Sequence, residues 1–507
     1  MASFIVRRFL ISILVLLAAT FIVYVLVANA GDPRSSLYES TDPGKAVKIA
    51  AMTRNLSLDV PVIPRYFAWL GGALGCFVGN CDLGNTATGA PVIGGLTVAI
   101  GSTLRLVVFA LVIAVVLGVA VGMVTALRQY SGLDYSVTFL AFLFFSLPVF
   151  WIAVLMKQFL AIKFNSWLQD PSIPPWVIVV SAVVAGLLAA GIVGGDRRQR
   201  LLSAAIGAAV VAVIMIGLSV TDWFAAPGIG PVLMIIMSAL TALASTALIS
   251  GLRSRLVLLS TGITALVGVI SYFALDSLLA DPSLTLLLGL LVLALVIGAA
   301  IGAGVGGLWR SQAIRASMLT AFGCSLLVFT SHLLDAVPAY SAKVNGVVIA
   351  TIGATTPNFQ GDFWETTLDQ LGHLILPTVA IVLISIASYT RYTRSSMLEV
   401  MNADYIRTAR AKGLTERTVV VRHGFRNAMI PITTIVALDI GGLIGGAIIT
   451  ETVFGWSGMG KYFNDALKIP DANAVMGFFL VTGIAIVLAN MCADIAYGFL
   501  DPRIRLS

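Results

Sequence analysis

The chain has 507 residues, 59% of them hydrophobic and only 11% charged, with a mean hydropathy of +0.99. A soluble domain carries about 25% charged residues, so a conventional solvated surface is excluded and lipid is the expected main solvent. The net charge of +7 comes without a basic stripe broken by aromatics, and so gives no nucleic-acid signature.

Hydropathy predicts an all-α polytopic membrane protein with twelve spans. They lie at roughly 9–28, 98–126, 137–160, 176–194, 201–220, 232–251, 256–275, 283–308, 316–337, 373–390, 428–450 and 473–499. With the N-terminus inside, the inner segments carry 20 of the 31 Lys and Arg, and the positive-inside rule then makes the chain N-in and C-in. The first span follows Arg7 and Arg8 and ends near Ala28-Asn29-Ala30, a small-x-small site that a cleaved signal peptide would also show. Its apolar run exceeds the roughly 7–15 residues of a signal core, so a retained span is expected.

The long loop 29–97 reads as a small folded outer domain, with Leu58, Asp59, Arg65 and Trp69 in its most patterned stretch. It would receive a partner or cap the channel mouth. Cys76 and Cys81 fall in this loop, where a local disulfide and two free thiols are both open readings. Cys324 and Cys492 lie in spans and read as small apolar packers. Lys157, near the outer end of its span, is expected to snorkel.

Three blocks follow. Residues 1–170 hold three spans and the outer loop; 171–340 hold six spans with very short connections; 341–507 hold three spans and the long motif-like loops. The middle block reads as an insertion, because six spans can be removed without changing the orientation of the flanks. A scaffold packed around the other six spans is its expected role.

The inner segment 399–428 is the densest basic stretch. Met397 to Gly413 reads as one helix with Glu399, Asp404, Arg407, Arg410 and Lys412 on a polar face, broken at Gly413. Thr415 would cap a second short helix that enters the next span at Pro431. Helix, glycine break, helix and re-entry would form a rigid peg. A plain topology anchor explains the charge but neither the break nor the length.

Asp404 to Ala428 (DYIRTARAKGLTERTVVVRHGFRNA) resembles the coupling loop of bacterial ABC-importer permeases of the dipeptide, oligopeptide and nickel group. The likeness continues in His373–Pro377, Arg391–Glu399, Gly441–Phe454 and the terminal Asp501-Pro502-Arg503. In the first block it takes in Arg7-Arg8, Gly31-Asp32-Pro33 and Ser146 to Trp151, so it covers about 1–170 and 350–507. Two departures stand out. Arg407-Thr408-Ala409 replaces the Glu-Ala-Ala of the general pattern, a variation common in the peptide group, and the block 171–340 has no counterpart in a six-span permease.

The resemblance implies a six-helix permease core carrying about six extra helices. It implies a subunit of an ATP-driven importer of di- and oligopeptides, paired with a second homologous permease. Two cytoplasmic ABC ATPases and an external substrate-binding protein would complete the assembly in a bacterial cell membrane, with membrane lipid around it. Ala409, Ala411 and Gly413 would make the close ATPase contact. Asp404, Tyr405, Arg407, Arg410, Lys412 and Arg422 would supply its polar face, and Asn427 with Pro431 the join to the span. No cofactor is expected in this chain, since ATP and magnesium would bind the partner ATPases.

Other signals are weaker. Gly455 to Tyr462 spells G-x-x-x-x-G-K but has Tyr where a phosphate loop needs Ser or Thr, so the chain is expected to lack its own ATPase. Glu451 and Phe454 would line the outer mouth. Gly441, Gly442, Gly445 and Gly446 permit close helix approach. Asp439, at membrane depth, would face a substrate path or take a structural hydrogen bond. His332, His373 and His423 lie far apart, and no metal site or catalytic pair is visible. Nickel or another small solute is the alternative cargo. An ion-coupled secondary transporter is the rival class, although it would need more buried ionisable groups than Asp439.

Overall fold

In a computed structural model that describes residues 2–444 and 447–500, the secondary structure is helical, with one isolated bridge between Asn85 and Pro91. Eleven helices among the described residues are long and apolar enough to cross a membrane. The expected span 428–450 corresponds to the helix Arg426–Ile444. Gly445 and Gly446 of the small-residue motif lie outside the described residues, as do Asp501-Pro502-Arg503.

Two long helices form the spine. Val92–Leu127 has 36 residues and Phe363–Met401 has 39; at 1.5 Å per residue both exceed the roughly 30 Å hydrocarbon core, so their ends project beyond it. Phe363–Met401 opens with a reciprocal cap. The Asp362 carboxylate accepts from Glu365 N at 2.8 Å and the Glu365 carboxylate accepts from Asp362 N at 3.0 Å. The two helices approach closely at Gly118 and Gly122, where a Cβ would fall 2.5 Å from Tyr389 Cβ and 2.6 Å from the Thr390 carbonyl. Helices Arg426–Ile444 and Ala472–Leu500 pack on each other and on this spine, and Ala2–Asn29 packs on Ala472–Leu500.

Three sequence expectations change. The span 137–160 is two helices, Gly132–Ser146 and Val149–Met156, the second running on through a π turn into Lys163–Leu168. Pro148 forces this break: Leu147 before it takes extended ψ (132°), as the clash with a proline ring requires. Lys157 does not snorkel; its ammonium donates to the Val453 carbonyl at 2.9 Å, over the Phe454 ring.

The third change concerns the middle block, which forms two separate packing units. Pro175–Val193 and Arg197–Val220 make a hairpin joined by small residues. Pro231–Ile249, Arg255–Ala274, Leu284–Val305 and Arg310–Asp335 form a four-helix bundle. The bundle interior holds Ser and Thr hydroxyls, most of them bonded to the carbonyl one turn back, with Thr246 and Thr261 joined at 2.7 Å. Cys324 is buried there against Ala242 and Ala265. The bundle meets the spine at one end through Trp364 Nε1 donating to the Leu279 carbonyl (2.7 Å). At the other end Arg417 Nη2 donates to the Leu248 carbonyl (3.1 Å).

In the loop 29–97, helices Lys45–Asn55 and Val62–Gly75 lead to a disulfide between Cys76 and Cys81. The buried Asp471 carboxylate pins this loop to the last helix by accepting from Ala87 N at 2.6 Å.

Candidate coupling loop

The Phe363–Met401 helix ends at Asn402, and Ala403 turns extended (ψ 150°) before Asp404–Ala411 begins. The single helix expected from Met397 to Gly413 is therefore two helices at an angle. The short second helix is strongly two-faced. Ile406 and Ala409, three residues apart, are buried against Val419 beside Met401. Asp404, Tyr405, Arg407, Arg410 and Ala411 point outward.

Gly413 ends this helix in left-handed conformation (φ +74°) with nothing within 4 Å of where a Cβ would stand. Across the turn Arg410 grips Glu416 with two bonds, Nη2–Oε1 at 2.7 Å and Nε–Oε2 at 3.2 Å. That pairing holds the Glu416 carboxyl below its ordinary value. Arg407 is only loosely held by Asp404, at 3.5 Å, and both are exposed. The chain turns back through Glu416–Thr418 and a π-helical stretch, Val419–Phe425, that runs into Arg426–Ile444. Thr415 stands at the cap position but makes no capping side-chain bond; its hydroxyl meets that of Thr418. Pro431 lies inside the helix, so the return helix starts well before it. Asn427 Nδ2 donates to the His423 carbonyl at 3.1 Å, one turn back across the end of the π-helical stretch.

The root of the loop is rigid. Val420, Ala428, Met397 and Ala126 form one buried cluster that joins the loop to both spine helices. Beside it Arg394 holds the buried Asp134 carboxylate with two bonds, at 2.7 and 2.9 Å. Ser131 caps the Asp134 helix. No local pattern marks this pair, because 260 residues separate its members.

The residues expected to line a path are placed differently. Glu451 and Phe454 are 0% and 1% exposed. The Glu451 carboxylate accepts from Thr103 Oγ1 at 2.7 Å and from Lys461 N at 3.0 Å, and Thr103 Oγ1 also accepts from Met459 N at 2.8 Å. Phe454 fills a pocket among Ile152, Met156 and Leu376. Both side chains pack the turn 451–461 against the spine. Asp439 accepts from the Tyr389 hydroxyl at 2.6 Å. Sequence reading also missed Asp369. Its carboxylate accepts from Thr356 N and Thr356 Oγ1, at 3.0 and 2.5 Å. Nearby His373 Nδ1 lies 3.0 Å from the Gly353 carbonyl, so the segment before Phe363 is fastened to the spine. Among the described residues no group of three or more His, Cys, Asp or Glu is placed to hold a metal.

Residues 297–506 match the family described as binding-protein-dependent transport system inner membrane component. Through this region the chain is similar to the multi-span inner membrane components of that class. The curated proteins it resembles include peptide-transport permeases. It is 42% identical over 155 residues to the oligopeptide transport system permease protein OppB of Mycobacterium tuberculosis, which is 31% of this chain and 48% of that protein. Identity is 48% over 138 residues with the dipeptide transport system permease protein DppB of Escherichia coli K12, or 27% and 41% of the two chains. With the oligopeptide transport system permease protein AppB of Bacillus subtilis it is 37% over 187 residues, or 35% and 58%. The chain spans about half the length of the curated relatives it matches.

Proposed function

We propose that this chain is a permease subunit of an ATP-driven importer of di- and oligopeptides, oriented N-in and C-in. It would work beside a second homologous permease, an external substrate-binding protein and two cytoplasmic ATPases. The observation that carries this reading is the loop 404–425. It is a two-helix peg with its own small core, clamped by Arg410–Glu416 and rooted on both spine helices. A topology anchor needs charge alone; a lever needs a stiff shape that transmits displacement to the spans. The match to peptide permeases supports the cargo class.

The roles within the loop divide by burial. Tyr405, Arg407, Ala411, Lys412, Gly413 and Arg422 are exposed and would meet the ATPase. Ala409, Arg410 and Asn427 hold the shape of the peg. Six spans of 1–170 and 341–507 would form the transport core, with 171–340 an insertion; support comes from the self-contained packing of the hairpin and of the bundle.

The test is purification of the tagged chain in mild detergent beside the double variant Arg407→Glu, Lys412→Glu. An ATPase should accompany the parent chain and be lost with the variant, and uptake of a labelled dipeptide should fall with it. An intact chain that brings down no ATPase in either form would overturn the proposal.

A further inference from the structure

The outer domain holds a buried cation with no carboxylate partner. Arg65, on Val62–Gly75, is 9% exposed. Its polar contacts are two long ones from Nη1, to the Leu56 and Ser57 carbonyls at 3.4 and 3.5 Å, and its Nε has no acceptor. Its guanidinium lies 5.8 Å from the Tyr24 ring centre, and the Tyr24 and Trp69 rings are 6.3 Å apart. Trp69 Nε1 is likewise buried without a partner, and Tyr24 is the side chain that Arg65 packs against. Arg65 and Trp69 thus keep donors that no protein acceptor meets, one of them on a full charge. Buried charges are normally paired, so an anion is the missing element.

Arg65 also lines an open groove of about 630 Å³ between the end of the first helix and residues 58–62. Two carboxylates share its wall. Asp32 is held by Arg34 at 2.9 Å; Asp59 is exposed and paired with neither arginine. The groove therefore offers a recessed cation and a free anion at its rim.

Its setting is the membrane surface. Tyr24 lies about 7 Å inside the helix end at Asn29. On Val62–Gly75 the buried face carries Arg65, Tyr66 and Trp69, while Ile63, Phe67 and Leu74 are more than half exposed, the pattern of a helix lying in the interface. The first helix contacts only the last helix and this outer helix to any extent, and is otherwise bare along its apolar length.

We propose that this groove binds the headgroup of a zwitterionic phospholipid from the adjacent leaflet. The phosphate accepts from Arg65, the ammonium meets Asp59, and the acyl chains lie along the first helix. The site stands apart from the coupling loop and does not depend on the transport reading, because its readout is lipid retention.

The test is native mass spectrometry of the full chain, purified with its partners and carried through graded delipidation. Phosphatidylethanolamine, phosphatidylglycerol, inorganic phosphate and glycerophosphoethanolamine are then added back separately. The parent chain should retain one phosphatidylethanolamine about tenfold better than phosphatidylglycerol, and Arg65→Gln should lose about tenfold in retention, the worth of a charge-assisted bond. Asp59→Asn changes an exposed, unpaired residue and so should fold even if Arg65→Gln does not; it should abolish the preference between the two lipids. Three results would overturn the proposal. One is unchanged retention in both variants. Another is saturation by inorganic phosphate alone, which would make this a free-anion site. The last is loss of a co-purifying permease from Arg65→Gln with lipid retention intact, which would assign the counter-charge to a protein carboxylate.

Discussion

Replacing Thr103 by Val keeps the side-chain volume and removes one hydroxyl, and the structure sets what that costs. The hydroxyl donates to the buried Glu451 carboxylate at 2.7 Å and accepts from Met459 N at 2.8 Å. A hydrogen bond to a charged group contributes about 1.5–3 kcal/mol, and a buried N–H left unpaired costs about 1–3 kcal/mol more. Lys461 N still reaches the other carboxylate oxygen, so the acid is not stripped bare and the sum is about 3–5 kcal/mol. That corresponds to about two to nearly four orders of magnitude in the folded-to-unfolded ratio. Reversible unfolding in mixed micelles reads this directly. Thr97→Val, an exposed neighbour on the same helix, is the control and should stay within about 0.5 kcal/mol. Peptide uptake should show fewer active molecules and an unaltered KM. If Thr103→Val matches the control in stability, or shifts KM while stability holds, then Glu451 lines a path and its role as an interior anchor is wrong.

Other outcomes follow from single contacts. Arg394→Ala leaves the Asp134 carboxylate buried and unpaired. Because Arg394 is itself partly exposed, the loss should be about 2–4 kcal/mol, below the range for fully buried pairs, and Asp134→Asn in the same chain should recover part of it. At Gly413 a side chain meets no atom, so Gly413→Ala should cost only the backbone term, about 1 kcal/mol, and Gly413→Asn less. Faster hydrogen exchange over 404–418 would show the first and not the second. Denatured without reductant, the chain should take up alkylating reagent at Cys324 and Cys492 alone; after reduction, all four cysteines should react.

The helical class, the span positions and the polar loop were legible because each rests on residues close in sequence. Twenty apolar residues in a row cross a bilayer whatever their neighbours, and Gly413 ends its helix through local backbone preference. The same local logic misjudged Met397 to Gly413, where nothing near Asn402 announces a break. The helix turns there because Ile406 and Ala409 find Val419, ten or more residues further on.

Buried ionisable residues were harder to read, since a chain shows that such a residue needs a partner but not where the partner stands. Asp134 finds Arg394 across 260 positions and Glu451 finds Thr103 across 348. Those pairings bury Glu451 against the spine, which its own segment does not announce. Composition and pattern thus determined that the chain is made to cross lipid and carries a polar loop broken at Gly413. Only the tertiary structure decided which charges hold the fold and which remain free to bind. The burial of a charge, and so its cost and its use, is a property of the neighbours that folding brings to it.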